Sequence, residues 1–263
     1  MVPNLTKRDF YLNQTLQLAI ERMRDAGYSL DAIIDIEINP DLQFMGYAKI
    51  DSHSSTIVIA DWALDSEMLG GLILHELAHI YFTENQYPSH KPELIQEIIY
   101  SIIHSEGLSN VEGSFLTECF SHLQNILVDD LVFELMNSKK ETKLIQEFFL
   151  TWMSDFPTGN HIVDASLLTR NAFAIASLKR RNIFFNVDKE MESRNEKFLS
   201  FYKIDKTDTN NSKKFIRLET FLETINLKND SNFRNILLQY FELLINLLQP
   251  KDIFLDKLKI FLF

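Results

Sequence analysis

The sequence predicts an α+β fold in which a small antiparallel sheet of about three strands packs on one apolar helix, with a mostly helical half after it. Three observations carry that expectation. Period-two alternation of apolar and polar residues is confined to residues 31–61. Everything beyond Asp61 follows helical spacing. No glycine follows Gly159, and the last hundred residues are rich in Leu, Ile, Phe, Asn and Lys.

The elements come in order. A first helix is expected from Thr6 to Gly27, with Thr6 and Asp9 in capping positions and Gly27 as a stop. In "DAIIDIEI", Ile34, Ile36 and Ile38 alternate with Asp35 and Glu37, the pattern of a half-buried strand that "NPD" then ends. "MGYAKID" and "STIVIAD", separated by "SHSS", read as a hairpin. "DWALDSEMLGGLILHELAHIYF" is a helix, and Pro92 opens the next, over 92–104. Longer helices are expected near 114–136 and 140–154, with several more over 162–262. The expected organisation is a core over 1–137 followed by a helical region over 138–263, with "IDKTDTNNSKK" the most linker-like stretch and no internal repeat.

At 263 residues the chain is long enough for one large domain or two modest ones, and its hydrophobic share of 46% is that of a soluble protein. A net charge of −11 opposes binding to nucleic acid or to an anionic membrane, because either needs Lys and Arg against phosphate. The short run "LKRRN" at 178–182 reads as a solvated face. Cys119 stands alone, so no internal disulfide or cysteine-rich zinc ribbon forms. With no long apolar segment at the start and no membrane-length run, a cytoplasmic setting is expected.

The chemistry-bearing stretch is His75-Glu76-Leu77-Ala78-His79, an H-E-x-x-H motif. Residues four apart lie on one helix face about a turn apart, so two imidazoles can share one Zn²⁺. Glu76 is offset about 100° around the axis, where a carboxylate reaches a metal-bound water as general base without becoming a ligand. Gly70 and Gly71, one turn earlier, leave room for another backbone or a substrate to come close. The competing reading is that both histidines are satisfied by hydrogen bonds in a core. It is opposed by the apolar surroundings, since buried imidazoles and a buried carboxylate need partners or a metal to offset lost hydration.

This order of elements, with HELAH on an apolar helix after the hairpin, resembles the zincin metallopeptidases over roughly residues 30–135. The resemblance implies that His75 and His79 bind zinc, that Glu76 activates water, and that an edge strand, expected to be "STIVIAD", pairs with an extended peptide substrate. The metzincin continuation is absent, because Phe82 holds its glycine place and Gln86 lies near that of its third histidine. Two candidates for a third ligand remain. His90 precedes a helix start much as in SprT-like zincins, although the acidity of this chain speaks against a DNA-linked role. Glu118, His122, Asn125 and Asp129 form one polar stripe on an otherwise apolar helix, comparable to the downstream helix of gluzincins. His90 is the preferred ligand, with Asp129 and Glu118 as rivals. Asp129 can instead hold a ligating histidine from behind, and His122 is the candidate electrophile beside the catalytic Glu76. His53, His104 and His161 have no partner at metal spacing and are read as structural or exposed.

The activity this implies is zinc-dependent cleavage of a peptide or protein substrate, with the helical C-terminal half, ending "IFLDKLKIFLF", available to a protein partner. The alternative is a zincin-like scaffold that no longer cleaves and serves as a binding or regulatory module.

Overall fold

The computed structural model describes residues 7–51, 54–185, 187–202, 211–227 and 232–248. Its architecture is α+β, a three-stranded sheet followed by a helical C-terminal half. The described chain forms two units, neither of which is continuous in sequence. The first takes in the residues up to Lys91 together with Val128–Ile145, and the second holds Pro92–Leu127 and the residues from Gln146 onward. The division is therefore not a single cut near residue 137. The stretch Pro92–Leu127 belongs with the C-terminal helices.

In the first unit, helix α1 (Lys7–Asp25) buries Leu12, Leu16, Ala19 and Met23, a stripe at three- and four-residue spacing that lies against α2. Gly27 ends it at φ +91°, a left-handed turn that glycine adopts without Cβ strain. Strands β1 (Ile33–Asn39), β2 (Gly46–Ile50) and β3 (Ser54–Ala60) then form a sheet in the order β1-β3-β2.

Two sheet expectations are corrected. The sheet is mixed, because β1 runs parallel to β3 and only β2 is antiparallel. "STIVIAD" supplies the central strand rather than an edge. Its side chains say why. Ile57, Val58, Ile59 and Ala60 are all fully buried, so β3 is apolar and covered on both faces, while β1 and β2 take up its main-chain hydrogen bonds. The edge strands are β1 and β2.

A 3-10 helix over Asp61–Asp65 precedes α2 (Leu69–Glu84), so the motif helix starts later than its sequence suggests. Helix α2 packs on α1 and β2, and Glu84 at its end accepts the backbone N–H groups of Asp31 and Ala32, pinning the approach to β1. A short 3-10 helix, Pro88–His90, follows. Helix α4 (Asn110–Leu135) contributes its last turns to this unit, and Arg22 ties its C-terminus to α5 (Lys139–Trp152) by bonding the Leu135 carbonyl and the Glu141 carboxylate.

The second unit comprises α3 (Pro92–Glu106), most of α4, the later turns of α5, α6 (His161–Arg180), α7 (Asp188–Phe201), α8 (Asn211–Thr224) and α9 (Phe233–Leu248). Its core centres on α6, which packs on α7, α8 and α9. Among the described residues no helix is long and apolar enough to cross a membrane. Thr6, His53, most of the linker-like stretch and the segment "IFLDKLKIFLF" lie outside the described residues.

Candidate metal centre

The first unit brings five of the expected site residues together, His75, Glu76, His79, His90 and Asp129. His75 and His79 share one face of α2, and their Nε2 atoms stand 3.2 Å apart. Two nitrogens each about 2.05 Å from one tetrahedral ion would be about 3.3 Å apart. The pair therefore has the spacing of two ligands of a single metal.

Each imidazole is held from behind. His75 Nδ1 is 3.0 Å from Asp129 Oδ1, and His79 Nδ1 is 3.0 Å from His90 Nε2. His90 Nδ1 in turn lies 3.0 Å from the Ser89 hydroxyl. The result is one relay, Asp129–His75–His79–His90–Ser89. One assignment of protons that satisfies the relay has Ser89 O–H donating to His90 Nδ1, His90 Nε2–H to His79 Nδ1, His79 Nε2–H to His75 Nε2, and His75 Nδ1–H to Asp129.

Local structure explains why His90 returns to its partner eleven residues back. Helix α2 ends with Gln86 at φ +55° and a Tyr87 N–H bond to the Phe82 carbonyl, a left-handed terminus that reverses the chain. Tyr87 and His90 then pack on the Phe82 ring at centroid distances of 4.8 and 5.5 Å.

Glu76 is buried on the neighbouring face of α2 and accepts the backbone N–H of Ala48 in β2. That N–H is available for a reason of register. Met45 pairs with Ala60 and Asp51 with Ser54 through ladder hydrogen bonds, so Tyr47 and Lys49 also turn their main chain toward β3. Gly46, Ala48 and Ile50 turn theirs outward. The edge of β2 thus faces the carboxylate.

Burial dominates the electrostatics. It pushes the Glu76 carboxyl up, while the charge of His75 and the Ala48 N–H pull the other way. Burial alone would lower His75, but the hydrogen bond and charge of Asp129, with the charge of Glu76, leave it raised. His90 is lowered to about 4 by burial and by the charge of His75, so it is neutral near pH 7.

The other stripe residues go elsewhere. Glu118 accepts the Ser166 hydroxyl within the second unit. His122 stacks on Phe173 at 5.1 Å, also in the second unit, and burial beside Arg170 lowers it to about 4. His104 stacks on Tyr100, and His161 opens α6. Gly71 lies against Met136 and Met68, whereas space around Gly70 is open. Methionine side chains, rather than another backbone or a substrate, occupy the space at Gly71.

Sequence reasoning did not single out Ser89 or Ala48. Ser89 carries a weak signal, a hydroxyl beside a histidine between two prolines. Ala48 carries none, because its contribution is a backbone N–H.

Among the described residues no three His, Cys, Asp or Glu side chains are arranged as they stand to hold a metal ion. What fits is the donor pair, His75 and His79, with Asp129 behind the first and His90, the nearest further imidazole, behind the second. Imidazole nitrogens suit a borderline ion such as Zn²⁺.

Comparison with curated proteins and with solved structures gives no match. A family model described as a family of unknown function, DUF5781, matches residues 14–191, a span that contains every member of the relay. With that share of its length matched, the chain belongs to the DUF5781 family.

Proposed function

We propose that the protein is a zinc-dependent metallopeptidase, with His75, His79 and His90 as the metal ligands and Glu76 as the general base. The observation that carries this reading is the 3.2 Å pair of Nε2 atoms with Asp129 behind one ring and Glu76 beside it. Zinc bound there supplies Lewis acidity and a water acidified to a pKa of about 7. The chain's own residues do the rest. Glu76, its carboxyl raised by burial, takes up a proton, and the Ala48 N–H keeps it oriented between transfers. Asp129 fixes the His75 ring at Nδ1, leaving Nε2 on the side of His79, where it would be free to hold an ion. The outward main-chain groups of Gly46 and Ile50, with the Ala48 carbonyl, form the edge with which an extended peptide pairs. A net charge of −11 favours a peptide or protein substrate over nucleic acid, and a cytoplasmic setting accords with the lone buried Cys119.

A second reading is favoured by the closure of the imidazoles on one another. In it the chain is a zincin-like scaffold that binds partners without cleaving. Metal analysis and one variant separate the two. The peptidase reading expects one zinc per chain, and Glu76→Gln that keeps the zinc but loses at least about a hundredfold in hydrolysis of an unstructured peptide. Undiminished hydrolysis by Glu76→Gln, or no zinc in the wild type, overturns it.

A further inference from the structure

We infer that Tyr47 and Phe44 form a side-chain subsite beside the open edge of β2, and that it selects an extended peptide by one bulky apolar residue. The inference deepens the peptide-binding part of the reading above. It rests on the β2 edge alone and involves no ion.

The edge fixes what kind of molecule lies there. Gly46 and Ile50 turn both main-chain groups outward, and Ala48 its carbonyl, while the Ala48 N–H goes to Glu76. An extended chain running antiparallel satisfies these groups by facing Gly46, Ala48 and Ile50 in hydrogen-bonded pairs. Tyr47 then falls in a pair of the other kind, where the two Cα atoms come to about 4.5 Å and side chains stand closest.

Alternation decides which face those side chains share. A Cβ on Gly46 would lie 3.5 Å from the Leu72 side chain, so Gly46 faces α2 and Tyr47 faces away from it. On that outer face the Tyr47 ring sits 5.8 Å from the Phe44 ring, tilted by 55°. Lys49 Nζ, held at 2.8 Å by Glu37, lies 5.9 Å from the Tyr47 ring. Val58, which pairs with Tyr47 in the β2–β3 ladder, is fully buried. Phe44 and Trp62 are each 54% exposed at the Met45–Ala60 end of that ladder, and the Trp62 N–H is tied to the Leu42 carbonyl.

Scattered exposed aromatics are ordinary on a surface. Here two of them touch beside an unpaired strand edge. A peptide residue opposite Tyr47 lies over its ring and next to Phe44. An aromatic or large aliphatic side chain at that point buries both rings, whereas a small one leaves them in water. The neighbouring peptide side chains alternate to the α2 face and take no part in the choice.

The test uses the full chain with a chelator present, so that nothing is cleaved, and short fluorescein-labelled peptides of Thr and Lys with Phe, Leu or Ala at the centre. By anisotropy the Phe-centred peptide is expected to bind about three- to tenfold more tightly than the Ala-centred one, with Leu between them. Tyr47→Thr, which keeps strand propensity, is expected to bring the three close to parity. Where it does not fold, Phe44→Ser, outside the strand, makes the comparison. Amide exchange supplies a readout of the edge itself: the Gly46 and Ile50 N–H groups slow when peptide binds, in wild type and variant alike. Slowed exchange with equal affinity for the Phe- and Ala-centred peptides overturns the subsite and leaves the edge standing. No binding, or unchanged exchange at saturating peptide, overturns both. Slowing that needs no peptide and grows with protein concentration assigns the edge to a second copy of the chain and overturns the subsite as well. Zinc content and the Glu76→Gln comparison are independent of all these outcomes, so the peptidase reading stands or falls separately.

Discussion

Asp129 Oδ1 and His75 Nδ1 stand 3.0 Å apart although 54 residues separate them in sequence. A carboxylate that accepts from one ring nitrogen fixes the tautomer, aims the other nitrogen and raises its basicity. Asp129→Asn is nearly isosteric, yet its amide can present a donor to Nδ1 and favour the wrong tautomer. Zinc affinity is expected to fall about 10–100-fold while the circular-dichroism spectrum stays the same. Equal affinity in a chelator titration would mean that the contact only packs.

Glycine substitutions separate two neighbouring roles. A Cβ on Gly46 would meet the Val58 carbonyl oxygen at 2.8 Å, and that atom belongs to the central strand. Gly46→Ala is therefore expected to cost about 1–3 kcal/mol. Gly70 has open space around it inside α2, so Gly70→Ala is expected to stabilise by up to about 1 kcal/mol through helix propensity alone. Urea midpoints moving in opposite directions are the expected result. A stable Gly46→Ala would show that β2 can move away from β3 at little cost.

Much of this arrangement is legible in the sequence, and the limits have physical causes. Alternation marks β1, and the H-E-x-x-H spacing marks the paired imidazoles, because both are properties of one element. Strand order is a property of several. The continuous apolar run Ile57–Ala60 marks β3 as buried on both faces, which accords with a central place without fixing which strands flank it. The polar stripe on α4 contains Asp129, which meets His75, but a stripe fixes a face and not a height. Glu118 and His122 lie eleven and seven residues before Asp129, about 16 and 10 Å along the axis, and their partners are in the other unit. The His79–His90 contact depends on how α2 ends, which Gln86 does not advertise because a left-handed residue there is usually Gly or Asn.

Acid stability has a defined source at the α4–α5 corner. The hydrogen bond from Arg22, helped by Ser138, holds the Glu141 carboxyl down at about 2, against partial burial. A carboxyl depressed in the folded state contributes stability that is fully present above its unfolded range, near pH 4.5, and is lost as pH falls toward 2. Solvent screening at this partly exposed pair reduces the contribution to on the order of 1 kcal/mol. Glu141→Gln is expected to lower stability at pH 7 and to flatten its decline between pH 4.5 and 2. Denaturant melts across that window measure it, and a variant whose curve runs parallel to the wild type would remove Glu141 as the cause.

The turn after α2 gives the last prediction. Gln86 sits at φ +55°, a left-handed conformation that costs a residue with a Cβ about 1–2 kcal/mol, yet the reversal it makes is what returns His90 to His79. Glycine adopts that conformation without the penalty but loses more chain entropy on folding, so Gln86→Gly is expected to gain about 0.5–1 kcal/mol net. A β-branched residue meets the full penalty, so Gln86→Val is expected to lose stability and to loosen the His90 contact. The two variants should bracket the wild type in thermal midpoint, and zinc affinity should be kept in Gln86→Gly and weakened in Gln86→Val. If Gln86→Val holds zinc as tightly as the wild type, the return of His90 is fixed by its packing on Phe82 rather than by the turn.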